Sequence, residues 1–379
     1  MTAQTPPLTL VADGVVRGAT VTGPAWVQVA AGRIAAVGEG PAPDALGETV
    51  RVEGVLAPGF VDIHHHGARG HDYGVGSVDD ALAVVEHHHG RGSTTLVASL
   101  ATLPLDVLEQ RLDILGGLAA AGHLAGIHLE GPYLDAGHRG CHAPELLRHP
   151  SVPELRRLVA AARGSLRMVT LAPELPGAQD AIRYLVGEGV TVAVGHTSCT
   201  AEQARAAFDA GATVLTHAFN GMPSLHHREP GPLGAALFDE RITIELILDG
   251  HHVAPEPARL LATVAPHRLA LISDAMAATG MGDGAYTIGG TAVVVADSVA
   301  RASSNGSLAG STIAVADAVT AAVQVLGMDV AATVASASTI PARALGLAEP
   351  RIATGEVADL VVVADARVTR VVRGGRFLA

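Results

Sequence analysis

Histidine and carboxylate residues recur in this chain directly after short apolar runs, and their types suit a divalent metal ion. His64 and His66 close the run Val55–Ile63. They lie two apart, so on an extended strand both side chains point to one face and can chelate one ion. Alone, that spacing is a weak signal. Glu130 follows Leu124–Leu129, Glu174 comes just after Leu166–Leu171, and His196 comes just after Val190–Val194. His217 follows Ala212–Thr216, Asp249 follows Ile242–Leu248, and Asp274 follows Leu269–Ser273. Any one of these could be simple strand termination. Seven of eight runs ending in His, Glu or Asp, with only Thr94–Ser99 lacking one, is harder to dismiss. If the ends converge, the carboxylates repel one another unless a cation offsets them. Glu130, His196 and His217 make a set that suits Zn²⁺ or a similar ion with a position left open for water. Glutamate is the natural bridge if two ions are held, and Asp274 would sit beside the water. His65 faces the other way and is expected to be packed or hydrogen-bonded.

The elements that must position these residues follow from the same runs. Most are continuously apolar, as expected of parallel strands buried on both faces. Helices with recognisable ends lie between them. Ser77 and Asp80 resemble a capping box with Gly90 as the stop, and Thr200 with Gln203 does the same before Ala204–Ala210 and Gly211. Eight alternations of strand and helix imply an α/β fold, a parallel (β/α)8 TIM barrel, whose chemistry sits at the C-terminal strand ends. Ala285–Ala296 reads as a hairpin insertion around Gly289 and Gly290, and Ser311–Leu326 and Val330–Leu345 read as helices. Both chain ends carry only short strands. They are expected to form one small β-sandwich domain from residues 1–56 and 346–379, packed on a barrel of residues 57–345.

Composition narrows the function classes. The chain has 379 residues, 49% hydrophobic and 16% charged, enough for a full core and too apolar for disorder. A net charge of −12 argues against sequence-independent nucleic-acid binding. No apolar run reaches the ~18 residues of a membrane helix. Two cysteines, Cys141 and Cys199, cannot form a disulfide framework or a four-thiolate site, so a reducing cytosol is expected. All 25 basic residues are arginine. A Walker lysine, a Schiff-base lysine and a carbamylated lysine bridging two ions are therefore excluded. Of the 19 histidines, His87, His88 and His89 are expected to be a solvated helix terminus whose partial charge suits the helix dipole. His226, His227 and His251 lie beside candidate substrate loops without an assigned role, and Glu174 and Asp249 are assigned no chemistry.

The segments Leu56–Gly67, His128–Tyr133, Gly195–Thr197, Thr216–Met222 and Ser273–Ala275 together resemble the amidohydrolase superfamily. Within it, His128–Tyr133, the loop with Asn220, and Arg228–Gly231 resemble the N-acetylglucosamine-6-phosphate deacetylase family, and the likeness runs essentially end to end. That resemblance implies removal of the acetyl group from N-acetylglucosamine 6-phosphate, giving glucosamine 6-phosphate and acetate, in amino-sugar catabolism and cell-wall recycling. The alternative is another amide hydrolysis or ring deamination of a small anionic substrate. It implies Glu130, His196 and His217 as principal metal ligands and His64 and His66 as a second-ion pair. One or two ions per subunit are expected, Zn²⁺ first, with Fe²⁺, Co²⁺ or Mn²⁺ also compatible. By the same resemblance Asp274 is the catalytic acid–base, His142 contacts the acetamido group, and Asn220, Gly221, Arg228 and His252 surround the sugar phosphate. A cytoplasmic homodimer is implied, with Arg228 reaching the neighbouring active site. Gly221 stands where alanine is more usual, and Cys141 places a soft nucleophile beside His142.

Overall fold

In the computed structural model, which describes residues 6–378, eight parallel strands follow one another in chain order around a single sheet. They are β1 (Phe60–His65), β2 (Ser93–Leu100), β3 (Gly126–Glu130) and β4 (Leu166–Leu171), then β5 (Thr191–Val194), β6 (Val214–Leu215), β7 (Thr243–Ile247) and β8 (Leu269–Ile272). The seam between β8 and β1 is closed by hydrogen bonds. The Asp274 N–H donates to the His64 carbonyl at 2.9 Å, and the Ser273 hydroxyl donates to Asp62 Oδ2 at 2.5 Å. The sheet is thus the (β/α)8 barrel that the alternation implied. Val61, Ile63, Val97, Met168, Val214, Ile247 and Ile272 fill its interior, with Ala342 and Leu345 packed into the same cluster. The opposite strand faces pack on the helices in the largest apolar cluster. Both capping boxes form, on helices Val78–Gly90 and Ala201–Asp209.

Strands from the chain ends form two further sheets, the second of which draws on both ends. One contains Leu8–Ala12, Ala25–Ala30, Arg33–Glu39 and Glu48–Arg51. The other joins Gly14–Arg17, Thr20–Thr22 and Val55–Pro58 to Leu360–Ala364, Arg367–Arg373 and Arg376–Phe377. They share one apolar cluster that includes Leu10, Val27, Leu56, Leu360 and Val372. Residues 1–5 and 379 of the expected terminal domain lie outside the described residues.

Three expectations need correction. The run Val55–Ile63 is two strands, because Val55–Pro58 pairs with Leu360–Val363 while Phe60 opens β1. The switch falls at Gly59, where a Cβ would lie 2.1 Å from Thr94 Oγ1, so only glycine lets the chain bend there against β2. Val330–Leu345 is two helices, Val330–Ala337 and Thr339–Ala344. Pro341 lacks an N–H and its ring would clash with the carbonyl of Ala337, which breaks the helix at Ser338. The insertion has a third strand: β9 (Gly284–Ile288), β10 (Thr291–Ala296) and β11 (Val299–Ala302) form an antiparallel sheet.

Candidate active site

The strand ends carry their polar residues inward by an unusual backbone step. His196, His217 and Asp274 have φ of 47°, 26° and 48°. The left-handed region costs a side-chain-bearing residue roughly 1–2 kcal/mol, so the surrounding fold must impose it. Each residue comes two after the last residue of its apolar strand, and the step turns its side chain toward the others. There they meet Glu130 from β3, His64 from β1 and His66 just past its end. Glu130 is 4% exposed and Asp274 7%.

Glu130 is the hub. Its Oε1 lies 3.0 Å from His196 Nε2, 3.1 Å from His217 Nε2 and 3.4 Å from His64 Nε2. Its Oε2 lies 3.2 Å from His66 Nε2 and 3.4 Å from His142 Nε2. Asp274 Oδ1 is 3.3 Å from His66 Nε2 and 3.6 Å from His64 Nε2. Burial alone would raise the Glu130 carboxyl. The histidines around it, His64 first and then His142, His196 and His217, outweigh it and hold the group well below the usual carboxylate range. Burial likewise opposes the Asp274 charge, but His64 and His66 bring its carboxyl down.

Hydrogen bonds on the far side of each ring decide which nitrogen carries a proton. His196 Nδ1 faces the His138 carbonyl at 2.8 Å, and His217 Nδ1 faces the Asn220 carbonyl at 3.2 Å. A carbonyl only accepts, so both Nδ1 atoms donate and both Nε2 atoms present lone pairs in the neutral ring. Those lone-pair nitrogens are 3.1 Å apart. With both rings neutral in that tautomer, these nitrogens and Glu130 Oε1 form a triangle of acceptors that a cation can fill. Ligands at ~2.0–2.1 Å from a tetrahedral Zn²⁺ are themselves roughly 3.3 Å apart, so the triangle fits an ion. His64 follows the same logic, its Nδ1 donating to Glu245 Oε2 at 3.1 Å. Its Nε2 and both nitrogens of His66 are buried without a hydrogen-bond partner. Nitrogen and oxygen atoms of His64, His66 and Asp274 lie within 4.8 Å of one another, as do those of Glu130, His142 and His196.

His142 is different, although it stands in that second group. The Thr102 backbone N–H donates to His142 Nδ1 at 3.3 Å, and the Thr102 hydroxyl lies 2.8 Å from the same atom. Nδ1 therefore accepts, Nε2 carries the proton, and His142 offers an N–H rather than a lone pair. Burial pushes its protonation down more than Glu130 holds it up, which keeps the ring neutral. Its tautomer suits a donor to a substrate oxygen.

Beside the cluster opens a cavity of about 360 Å³, lined by Asn220, Gly221 and His252, by Ile288 of the insertion and by Leu308 beyond it. His252 Nδ1 is 2.7 Å from Asp249 Oδ2, whose carboxyl burial would raise but His252 brings down to about 2. Arg228 is exposed, contacts His227 Nε2 at 2.9 Å, and does not line this cavity. His226 and His251 are exposed as well. Glu174 accepts from Thr197 Oγ1 and from the Ser198 N–H, bracing the loop after His196. Burial pushes the Cys141 thiol up, so it stays protonated and is a poor nucleophile.

The expectation of a solvated histidine terminus is wrong. His88 and His89 are buried, and burial pushes both down to about 3, so neither carries charge to the helix dipole. His88 instead packs on His65 with ring centres 4.5 Å apart, and its Nε2 lies 3.3 Å from the Gly67 carbonyl. His65 is held by Tyr73 OH at 3.0 Å, as its outward direction implied.

Sequence reasoning missed Glu245, Asp62, His128 and Thr102. Glu245 is fully buried and its Oε2 also accepts the His217 N–H at 3.2 Å. His128 is wedged between Ser99 Oγ at 2.9 Å and Thr170 Oγ1 at 2.8 Å, its ring 4.6 Å from that of His64. A signal for three of them was present. Asp62, His128 and Glu245 interrupt otherwise apolar strands, and a charge or imidazole inside a barrel strand needs a buried partner.

The sequence profile described as the amidohydrolase family matches residues 55–378. An N-acetylgalactosamine-6-phosphate deacetylase of Escherichia coli O157:H7 is 43% identical over 85% of this chain and 85% of its own. An N-acetylglucosamine-6-phosphate deacetylase of Vibrio furnissii is 36% identical over 82% of this chain and 79% of its own. A solved structure of a mutant N-acetyl-D-glucosamine-6-phosphate deacetylase from Mycobacterium smegmatis, in complex with N-acetyl-D-glucosamine-6-phosphate, is 42% identical. It superposes with a TM-score of 0.95 over 98% of this chain and 99% of that one.

Proposed function

The chain belongs to the amidohydrolase family, and from that premise we propose that it hydrolyses the acetamide of N-acetylglucosamine 6-phosphate to glucosamine 6-phosphate and acetate. What supports the reading is one cavity floored by two kinds of imidazole. His196 and His217 turn lone pairs toward Glu130, while His142 turns an N–H toward the same space. The names of relatives at 36–43% identity supply the acylated sugar phosphate.

Glu130, His196 and His217 would hold a divalent ion, and His64 and His66 a second one, with Glu130 between them. Zn²⁺ stands first for this nitrogen and oxygen set, and Fe²⁺, Co²⁺ and Mn²⁺ also suit it. Such an ion supplies Lewis acidity, polarising a carbonyl oxygen and bringing the pKa of water from 15.7 to ~7. The chain's own residues do the rest. His142 Nε2 donates to the acetyl oxygen and stabilises the charge that gathers there as water adds to the carbonyl carbon. Asp274 faces His64 and His66 through Oδ1, which leaves Oδ2 to take the proton from the attacking water. It returns that proton to the sugar nitrogen as the C–N bond breaks, so acetate and the free amine leave. The barrel that opens at Phe60 would carry this chemistry, with the strands before Gly59 and those from Leu360 onward as the β-domain.

The phosphate needs donors that an acidic chain lacks overall. Asn220, Gly221 and His252 would face it, and Arg228 would reach it from a second copy of the chain in a homodimer. Two free thiols, Cys141 and Cys199, suit a cytoplasmic setting. The test is acetate release from N-acetylglucosamine 6-phosphate, its galactose epimer and unphosphorylated N-acetylglucosamine. Arg228→Ala is expected to raise KM for the phosphorylated sugar about tenfold or more, the weight of a charge-assisted bidentate contact, and to change the unphosphorylated sugar little. Equal effects on both would remove Arg228 from the phosphate. Faster turnover of the epimer would reassign the sugar, and no acetate from any of the three would turn the reading to another amide or ring.

A further inference from the structure

Among the eight barrel strands, β2 is the one whose end supplies no histidine, glutamate or aspartate. What it supplies is Thr102, two residues past its last residue Leu100 and 3% exposed. We propose that Thr102 is a positioning residue that locks His142 in the Nε2–H tautomer and aims that N–H at the substrate oxygen.

Two donors of one residue converge on one atom. The Thr102 N–H meets His142 Nδ1 at 3.3 Å and the Thr102 hydroxyl lies 2.8 Å from it. Were Nδ1 protonated, the backbone N–H would point at another hydrogen, an arrangement no rotation of the hydroxyl relieves. With Nδ1 bare, both Thr102 groups can donate to it. On the other side of the ring, Glu130 Oε2 lies 3.4 Å from Nε2 and only accepts. The ring is thus read identically from both faces. The neighbouring backbone makes room for this contact. Gly131, next to Glu130, has φ of +87°, and a Cβ there would fall 2.4 Å from Thr102 Oγ1. Any side chain at 131 would displace the hydroxyl from His142. The lock matters because the opposite tautomer would present a lone pair to a carbonyl oxygen and repel it.

The kinetic part rests on the deacetylase reading above; the tautomer itself does not. Thr102→Ala keeps the backbone N–H and removes the hydroxyl, while Thr102→Ser keeps both. In Thr102→Ala, kcat for acetate release is expected to fall about tenfold with KM within about twofold, and in Thr102→Ser to stay within about twofold of the parent. Ion content and melting temperature, measured alongside, are expected to match the parent in both. Nitrogen-15 NMR of the ion-loaded, substrate-free enzyme is expected to show His142 protonated at Nε2 alone, and in Thr102→Ala to show the Nδ1 signal shifted or broadened. A parent enzyme carrying the proton at Nδ1 overturns the proposal, as does Thr102→Ala turning over at the parent rate. An enzyme that shows the Nε2 proton but releases no acetate keeps the lock and sinks the deacetylase reading instead.

Discussion

Replacing Asp274 by asparagine is expected to lower kcat for acetate release about 10³-fold, within the range a positioned general base contributes, while ion content and KM stay near the parent values. The substitution is close to isosteric, and asparagine tolerates the left-handed backbone that position 274 requires better than most residues. The barrel seam survives, because the bond from residue 274 to the His64 carbonyl uses the backbone N–H. Glu130, His196 and His217 remain to hold an ion. What disappears is an acceptor for the water's proton, since an amide oxygen is a very weak base. Loss of ion along with activity would give Asp274 a ligand role instead. Retained turnover would take it out of the chemistry altogether.

Glu130→Gln is expected to act earlier, at assembly of the site. Glu130 offers one oxygen to His196, His217 and His64 and the other to His66 and His142. Its carboxylate is the one that touches both groups of candidate ligands, and glutamine removes the charge without changing shape. Removing residues that merely support a ligand costs about 10–100-fold in metal affinity, so loss at the shared carboxylate is expected to exceed ~10²-fold. Elemental analysis after dialysis against buffer of fixed free Zn²⁺ reads this directly. The variant is expected to be folded by circular dichroism, depleted of ion and without measurable turnover. A variant that keeps its full ion content would show that the histidines suffice and that Glu130 is no bridge.

The two substitutions separate residues whose importance was readable from sequence for the same reason. Asp274, Glu130, His196 and His217 each stand at or just past the C-terminal end of an apolar strand, and a parallel barrel brings such ends to one axis whatever lies between them. Their convergence follows from strand order alone. Thr102 and Glu245 were not readable in this way. Thr102 meets a residue 40 positions away and Glu245 one 181 positions away, and each pairing depends on the barrel's register and on a rotamer. The tautomers were equally out of reach, because they are set by carbonyls of residues 138 and 220, on loops whose course no periodicity encodes. His88 and His89 misled for a related reason. Their place at the helix end suggested solvent, but that end packs against the first barrel strand, where His65 receives the ring of His88. The helix break at Ser338 was legible in Pro341, whose effect on the preceding turn is local and general.

The claim on which all of this depends is that His196, His217 and Glu130 share one divalent cation. Anomalous diffraction from crystals of the purified enzyme, collected on both sides of the zinc, iron, cobalt and manganese edges, tests it most directly. The expected result is an anomalous peak at ~2.0–2.2 Å from His196 Nε2, His217 Nε2 and Glu130 Oε1, lost after chelation together with acetate release. No peak among those three atoms in enzyme that turns over at its full rate would contradict the account.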